Sequence, residues 1–172
     1  MTDVSGSVAM ASQGIPGLRG FQVLGHNDLA RLEAFFLAFD LDQRREYFGG
    51  DVADTALRDY CNAIRWGEAT IIARSGPHGL EAIAIVAAIA PDQRAADLSM
   101  ACPSAGDRQP IVADMLDLAL MAASLSYRQL IVYHDHAMPE LLSLLRGSGS
   151  AKFDGDIVRI DVPLGNARLV AC

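Results

Sequence analysis

The apolar positions of this chain change period several times after residue 20, and each change marks an element. GFQVLG (20 to 25) alternates like a strand, and His26, Asn27 and Asp28 offer caps for a following helix. That helix carries Leu29, Leu32, Phe35, Phe36 and Phe39 on one side and breaks near Asp40. LDQRREYFGG (41 to 50) reads as a short helical turn stopped by Gly49 and Gly50. A third helix runs from Asp54 to Trp66, with Leu57, Cys61 and Ile64 as its buried stripe. TIIARS (70 to 75) and LEAIAIVAAIA (80 to 90) are strand-like runs joined by Gly76, Pro77, His78 and Gly79, a hairpin turn by composition. After Pro91 and Asp92, RAADLSMAC (94 to 102) follows as a third antiparallel strand. A helix from Pro110 to about Ser126 buries Ile111, Met115, Leu118 and Met121 or their neighbours, and LIVYH (130 to 134) is a short strand central in a sheet. Pro139 opens the helix ELLSLLRG, Gly147 and Gly149 close it, and AKFDGDIVRIDVPL holds a strand pair turning at Asp154 and Gly155.

Composition narrows the classes. With 172 residues, 51% hydrophobic and 20% charged, the chain suits one globular domain. Residues 1 to 19 read as a loose tail without the basic start and long apolar stretch of a signal peptide, and 165 to 172 as a C-terminal tail. A net charge of −7 argues against nucleic acid and anionic membranes as partners. The longest apolar run, AIAIVAAIA, is far short of a bilayer span. Cys61, Cys102 and Cys172 have neither zinc-site spacing nor a disulfide pattern, which points to a reducing cytoplasm.

Candidate chemistry concentrates between residues 94 and 126. A strand runs through the turn-rich loop PSAGDRQ into a helix, an arrangement that aims backbone N–H groups at an anion. Pro110 removes one donor, Val112 adds bulk where glycine would give space, and Asp107 brings negative charge beside Arg108. His134, Asp135 and His136 form the only histidine cluster. With no third ligand to place, a hydrogen-bonding or surface role is favoured there over a metal site.

The element order resembles the acetyltransferase fold of the GNAT superfamily over residues 20 to 164. Set against that family's strand and its Gln/Arg-x-x-Gly-x-Gly/Ala loop, DLSMACPSAGDRQPIV (97 to 112) has Asp97 at the acidic position. Asp107 then stands at the Gln/Arg position, with Pro110 and Val112 at the two glycine positions. LDQRREYFGG followed by LRDYCNAI is similar to a helical segment of a bacterial branch, and HDHAMPELLSLLRGSG to the segment leading into the family's last helix. The resemblance implies an α/β (α+β) domain with a mixed, mostly antiparallel sheet flanked by helices. It implies acetyl transfer from acetyl-CoA to an amine, on a small molecule or a protein.

By the same resemblance, Met100, Cys102, Arg108, Gln109, Ile111 and Val112 would hold the cofactor and Asp97 would be the base. Arg44 and Tyr47 would meet the acceptor. The family's usual acidic tyrosine is missing from ELLSLLRG, so Tyr133 is the substitute, provided it turns into the cleft. The competing expectation is a non-catalytic binding or regulatory module that kept the sheet and lost the pyrophosphate loop. A homodimer paired through sheet edges is a third.

Overall fold

The computed structural model describes residues 20–89, 94–103 and 106–163. Both expected tails, the turn at Pro91 and Asp92, and Leu164 at the end of the expected domain lie outside them. A seven-stranded sheet has the order β1-β2-β3-β4-β5-β7-β6. β1 (Phe21–Leu24), β2 (Ala69–Gly76), β3 (Gly79–Ala88) and β4 (Ala95–Ala101) are antiparallel neighbours. β5 (Gln129–Tyr133) lies parallel to β4, and β7 (Ile157–Asp161) and β6 (Ala151–Asp154) complete the far side. The sheet is thus mixed and mostly antiparallel, as expected.

Helices cover both faces. α1 (Leu29–Leu37), α2 (Leu41–Phe48) and α3 (Asp54–Ala63) pack on one, enclosing a core of Leu32, Phe35, Phe36, Tyr47 and Leu57 against Ile71, Ile83 and Ile85. α4 (Gln109–Ala123) and α5 (Pro139–Gly147) pack on the other, over Ala84, Val86, Leu98, Met100 and Leu130. β3 lies under both layers, which is why its sequence is a continuous apolar run instead of an alternation. β4 keeps the two-residue period: Ala96, Leu98 and Met100 face α4, while Asp97, Ser99 and Ala101 face α1–α3.

Two helix expectations change. α3 stops at Ala63 because Ile64 is already extended (ψ 125°), so Trp66 belongs to the turn after it. α4 begins one residue earlier than expected, with Pro110 in its first turn, and ends at Ala123. Its buried stripe is Val112, Met115, Leu116, Ala119 and Ala123, while Met121 is 54% exposed. The small residues Ala119 and Ala123 let the helix lie close on the sheet, and that rotates Met121 outward. Among the described residues no helix is long and apolar enough to cross a membrane.

Candidate functional site

The site begins where the sheet opens. β4 and β5 pair only from Ala95↔Gln129 to Asp97↔Ile131, although β4 continues to Ala101 and β5 to Tyr133. Beyond Asp97 the strands diverge, so a carboxylate stands at the apex of a gap between two strand edges. Asp97 is half-buried on the α1–α3 face. Burial pushes its carboxyl up to about 6, offset in part by the nearby His136 and by the Leu98 N–H.

α2 supplies the opposite wall, and its local chemistry fixes it there. Asp40 Oδ1 accepts from the Gln43 N–H at 2.9 Å and Gln43 Oε1 accepts from the Asp40 N–H at 2.9 Å, a reciprocal cap. Gly49 ends the helix at φ +75°, a conformation that favours glycine. The same glycine makes room for a side chain from another element, since a Cβ there would lie 2.7 Å from His136 Cε1. His136 ends a short 3₁₀ turn, His134–His136, directly after β5. Between the ends of α2, Tyr47 is buried, and its hydroxyl lies 3.1 Å from Ser99 Oγ and 3.3 Å from the Tyr60 hydroxyl. Burial raises both tyrosines above the usual phenol range, so both remain protonated at neutral pH.

Three volumes succeed one another along this line. A cleft of about 230 Å³ is lined by Tyr47, Tyr60, Asp97, Ser99, Tyr133 and His136. On the far side of Asp97, Ser99 and Tyr60, a larger cleft of about 410 Å³ opens between α3 and the ends of β2 and β3. Toward the β4–α4 loop, a small pocket of about 10 Å³ lies among Glu46, Tyr47, Met100, Cys102 and His136.

At that narrow end the start of α4 is internally occupied. All five N–H donors of Arg108 have acceptors: Nε and Nη2 meet Glu140 at 2.9 and 3.1 Å, Nη1 and Nη2 meet Glu46 at 3.4 and 3.3 Å, and Nη1 meets the Cys102 carbonyl at 3.2 Å. One guanidinium thereby ties α2, α5 and the loop together. Gln43 Nε2 adds a bond to the Pro103 carbonyl at 3.0 Å. The Gln109 N–H donates to Asp107 Oδ1 at 3.2 Å, Pro110 has no N–H, and the Val112 N–H closes the first helical turn on the Arg108 carbonyl at 2.9 Å. The Val112 side chain is buried in the core and so does not fill the loop, contrary to the sequence expectation.

Of the residues singled out from sequence, Asp97, Tyr47 and Tyr133 meet on one cleft. Tyr133, 45% exposed, does turn into it. Met100 and Cys102 lie buried at its closed end and Ile111 packs partly against the α4 core. Arg44 faces elsewhere, bonding the Phe39, Val52 and Leu37 carbonyls and pairing with Asp54 at 2.8 Å. Sequence reasoning missed Ser99, Tyr60, Glu46 and Glu140. Ser99 was within reach, because two residues past Asp97 on a strand means the same face. The other three come together only through packing.

No protein-family model matches the sequence, and no curated protein matches it. The fold does match solved structures of GNAT acetyltransferases. The GNAT domain of S. lividans PAT is 13% identical with a TM-score of 0.60, covering 81% of this chain and 87% of that one. A phosphinothricin acetyltransferase from Sinorhizobium meliloti, solved with AcCoA, is 12% identical with a TM-score of 0.60, covering 86% and 90%. Spermidine N-acetyltransferase from Vibrio cholerae, solved with CoA and spermine, is 13% identical with a TM-score of 0.58, covering 81% and 92%. The chain therefore has the GNAT acyltransferase fold, reached with little sequence in common.

Proposed function

We infer that the protein is an N-acyltransferase that moves an acyl group, acetyl in the simplest case, from an acyl-CoA thioester to an amine. The observation that carries this reading is Asp97 at the apex of the β4/β5 gap, sharing an open cleft with Tyr133. The diverging strand edges suit an extended amide chain such as the pantetheine arm, and the thioester supplies an activated acyl group. Asp97, ionised above about pH 6, accepts the proton of the attacking ammonium, and Tyr133 is the donor to the departing sulfur. Ser99, Tyr60 and Tyr47 hold the hydroxyls that orient the amine. A cytoplasmic setting suits the buried Cys61 and Cys102.

The residues fit the acyl end of such a donor better than its pyrophosphate. Arg108 is fully engaged, Pro110 offers no donor and Asp107 already caps Gln109. This favours, as a second reading, a binding module in which the loop no longer takes an anion. Calorimetric titration with acetyl-CoA and with acetyl-pantetheine, and then an acetyl-transfer assay, separates the two. The enzyme reading expects both thioesters to bind and to donate. Absence of binding by either sinks it in favour of the module.

A further inference from the structure

The larger cleft beyond Asp97 has a composition that specifies its occupant. Its walls are apolar, from Ile64, Ile85, Ala87 and Ile89, and its inner end is polar, from Asp97 with the Ser99 and Tyr60 hydroxyls. Among the described residues no Lys or Arg pairs with Asp97, which is held in an environment that disfavours its charge. A half-buried carboxylate without a Lys or Arg partner, its burial only partly offset by His136, is a cost that a cationic ligand reduces. An ammonium has three N–H donors, and Asp97, Ser99 Oγ and the Tyr60 hydroxyl provide acceptors for them on one side of the cleft.

The mouth of the cleft limits the rest of the ligand. Its charged residues, Arg65 and Glu68, lie 3.2 Å apart and cancel each other, so among the described residues no unopposed second carboxylate waits at the mouth for a second ammonium. The other titratable groups near Asp97 add no negative charge: His136 and Tyr47 lie on the opposite cleft, and burial keeps the Tyr47 and Tyr60 phenols protonated. At about 410 Å³ the space is at the lower end of the range for small-molecule sites, about 300–1,000 Å³.

We propose that this cleft binds a primary amine with a single positive charge on a compact apolar body, aliphatic or aryl-alkyl, and discriminates against polyamines. The proposal rests on the acyltransferase reading for the fate of the amine, while the binding itself does not depend on it.

The test is calorimetric titration of the full-length protein, without thioester, with hexylamine, 2-phenylethylamine, spermidine and hexanol. Hexylamine and 2-phenylethylamine are expected to bind about tenfold or more tightly than hexanol and spermidine, the scale of one charge-assisted hydrogen bond. Asp97→Asn should remove that advantage over hexanol. Ile89→Lys, at an exposed wall position, should weaken both amines about tenfold even if Asp97→Asn proves hard to fold. Spermidine binding as tightly as hexylamine, or amine affinity indifferent to both substitutions, overturns the proposal. Amine binding without thioester binding would instead uphold the proposal and defeat the acyltransferase reading. Acetyl transfer to spermidine but not to the monoamines would do the reverse.

Discussion

The two ends of the cleft treat charge in opposite ways. At the start of α4, Arg108 is bonded to Glu46, Glu140 and a carbonyl, beside a pocket of about 10 Å³. At the other end Asp97 has no Lys or Arg partner among the described residues, and clefts of about 230 and 410 Å³ meet beside it. A fold stabilises itself where its charges are satisfied internally and keeps chemistry available where one is not. In this molecule the compensated end is a clasp joining α2 and α5, and the other end holds a half-buried carboxylate open to two clefts.

Removing the uncompensated charge should have the largest effect. Asp97→Asn is expected to lower the acetyl-transfer rate roughly 10²- to 10⁴-fold, the range for loss of a general base, as measured by release of free thiol. An unchanged rate would mean that the open end is not the reacting end. Breaking the clasp comes next. Arg108→Ala leaves Glu46 and Glu140 facing each other, both only partly exposed, and should cost about 1–3 kcal/mol, or roughly 3–10 °C in thermal midpoint. A midpoint within a degree of the parent would show the clasp to be decorative.

Converting the closed end into an open one sharpens the contrast further. Glu46→Gln with Glu140→Gln leaves Arg108 its hydrogen bonds but not its counter-charges, and should raise acetyl-CoA affinity about tenfold relative to acetyl-pantetheine. Equal gains for both thioesters would rule out a phosphate contact at Arg108. The smallest expected effect concerns the pH dependence of stability. The folded Asp97 carboxyl titrates near 6, above its ordinary 3.8, so its stabilising contribution is complete below about pH 3.8 and is lost as pH rises through about 6. Asp97→Asn should therefore be more stable than the parent at pH 8 by about 1–2 kcal/mol, allowing for the part of the carboxylate that water reaches, with the gain gone near pH 4. Thermal melts at the two pH values read this directly. A destabilised variant at pH 8 would mean that Asp97 has a cationic partner after all.

The local pattern carried most of the fold. Period changes, Gly49 and Pro139 located the strands and helices to within a few residues, and the element order brought the GNAT resemblance with it. The misjudged stripe of α4 shows the limit. Apolar residues occupy nearly every face of that helix, so periodicity could not say which side met the sheet, and the close approach at Ala119 and Ala123 chose it. Arg44 shows the same limit for function. Three residues before Tyr47 on a helix means nearly the same face, yet the long Arg44 side chain reaches the loop carbonyls of the α1–α3 layer instead of the cleft. Spacing places a Cβ, and the acceptors within reach decide where a guanidinium goes.

By itself the sequence determined what short-range rules govern: where helices start and stop, which strands turn back on each other, and that Asp97 sits on a strand running into a helix. The tertiary structure decided which charges meet. Glu46 and Glu140 lie 62 and 32 residues from Arg108, and Tyr47 lies 52 from Ser99. No local preference links positions so far apart. Only the packing of α2 and α5 against the diverging ends of β4 and β5 closes one end of the cleft and leaves a carboxylate waiting at the other.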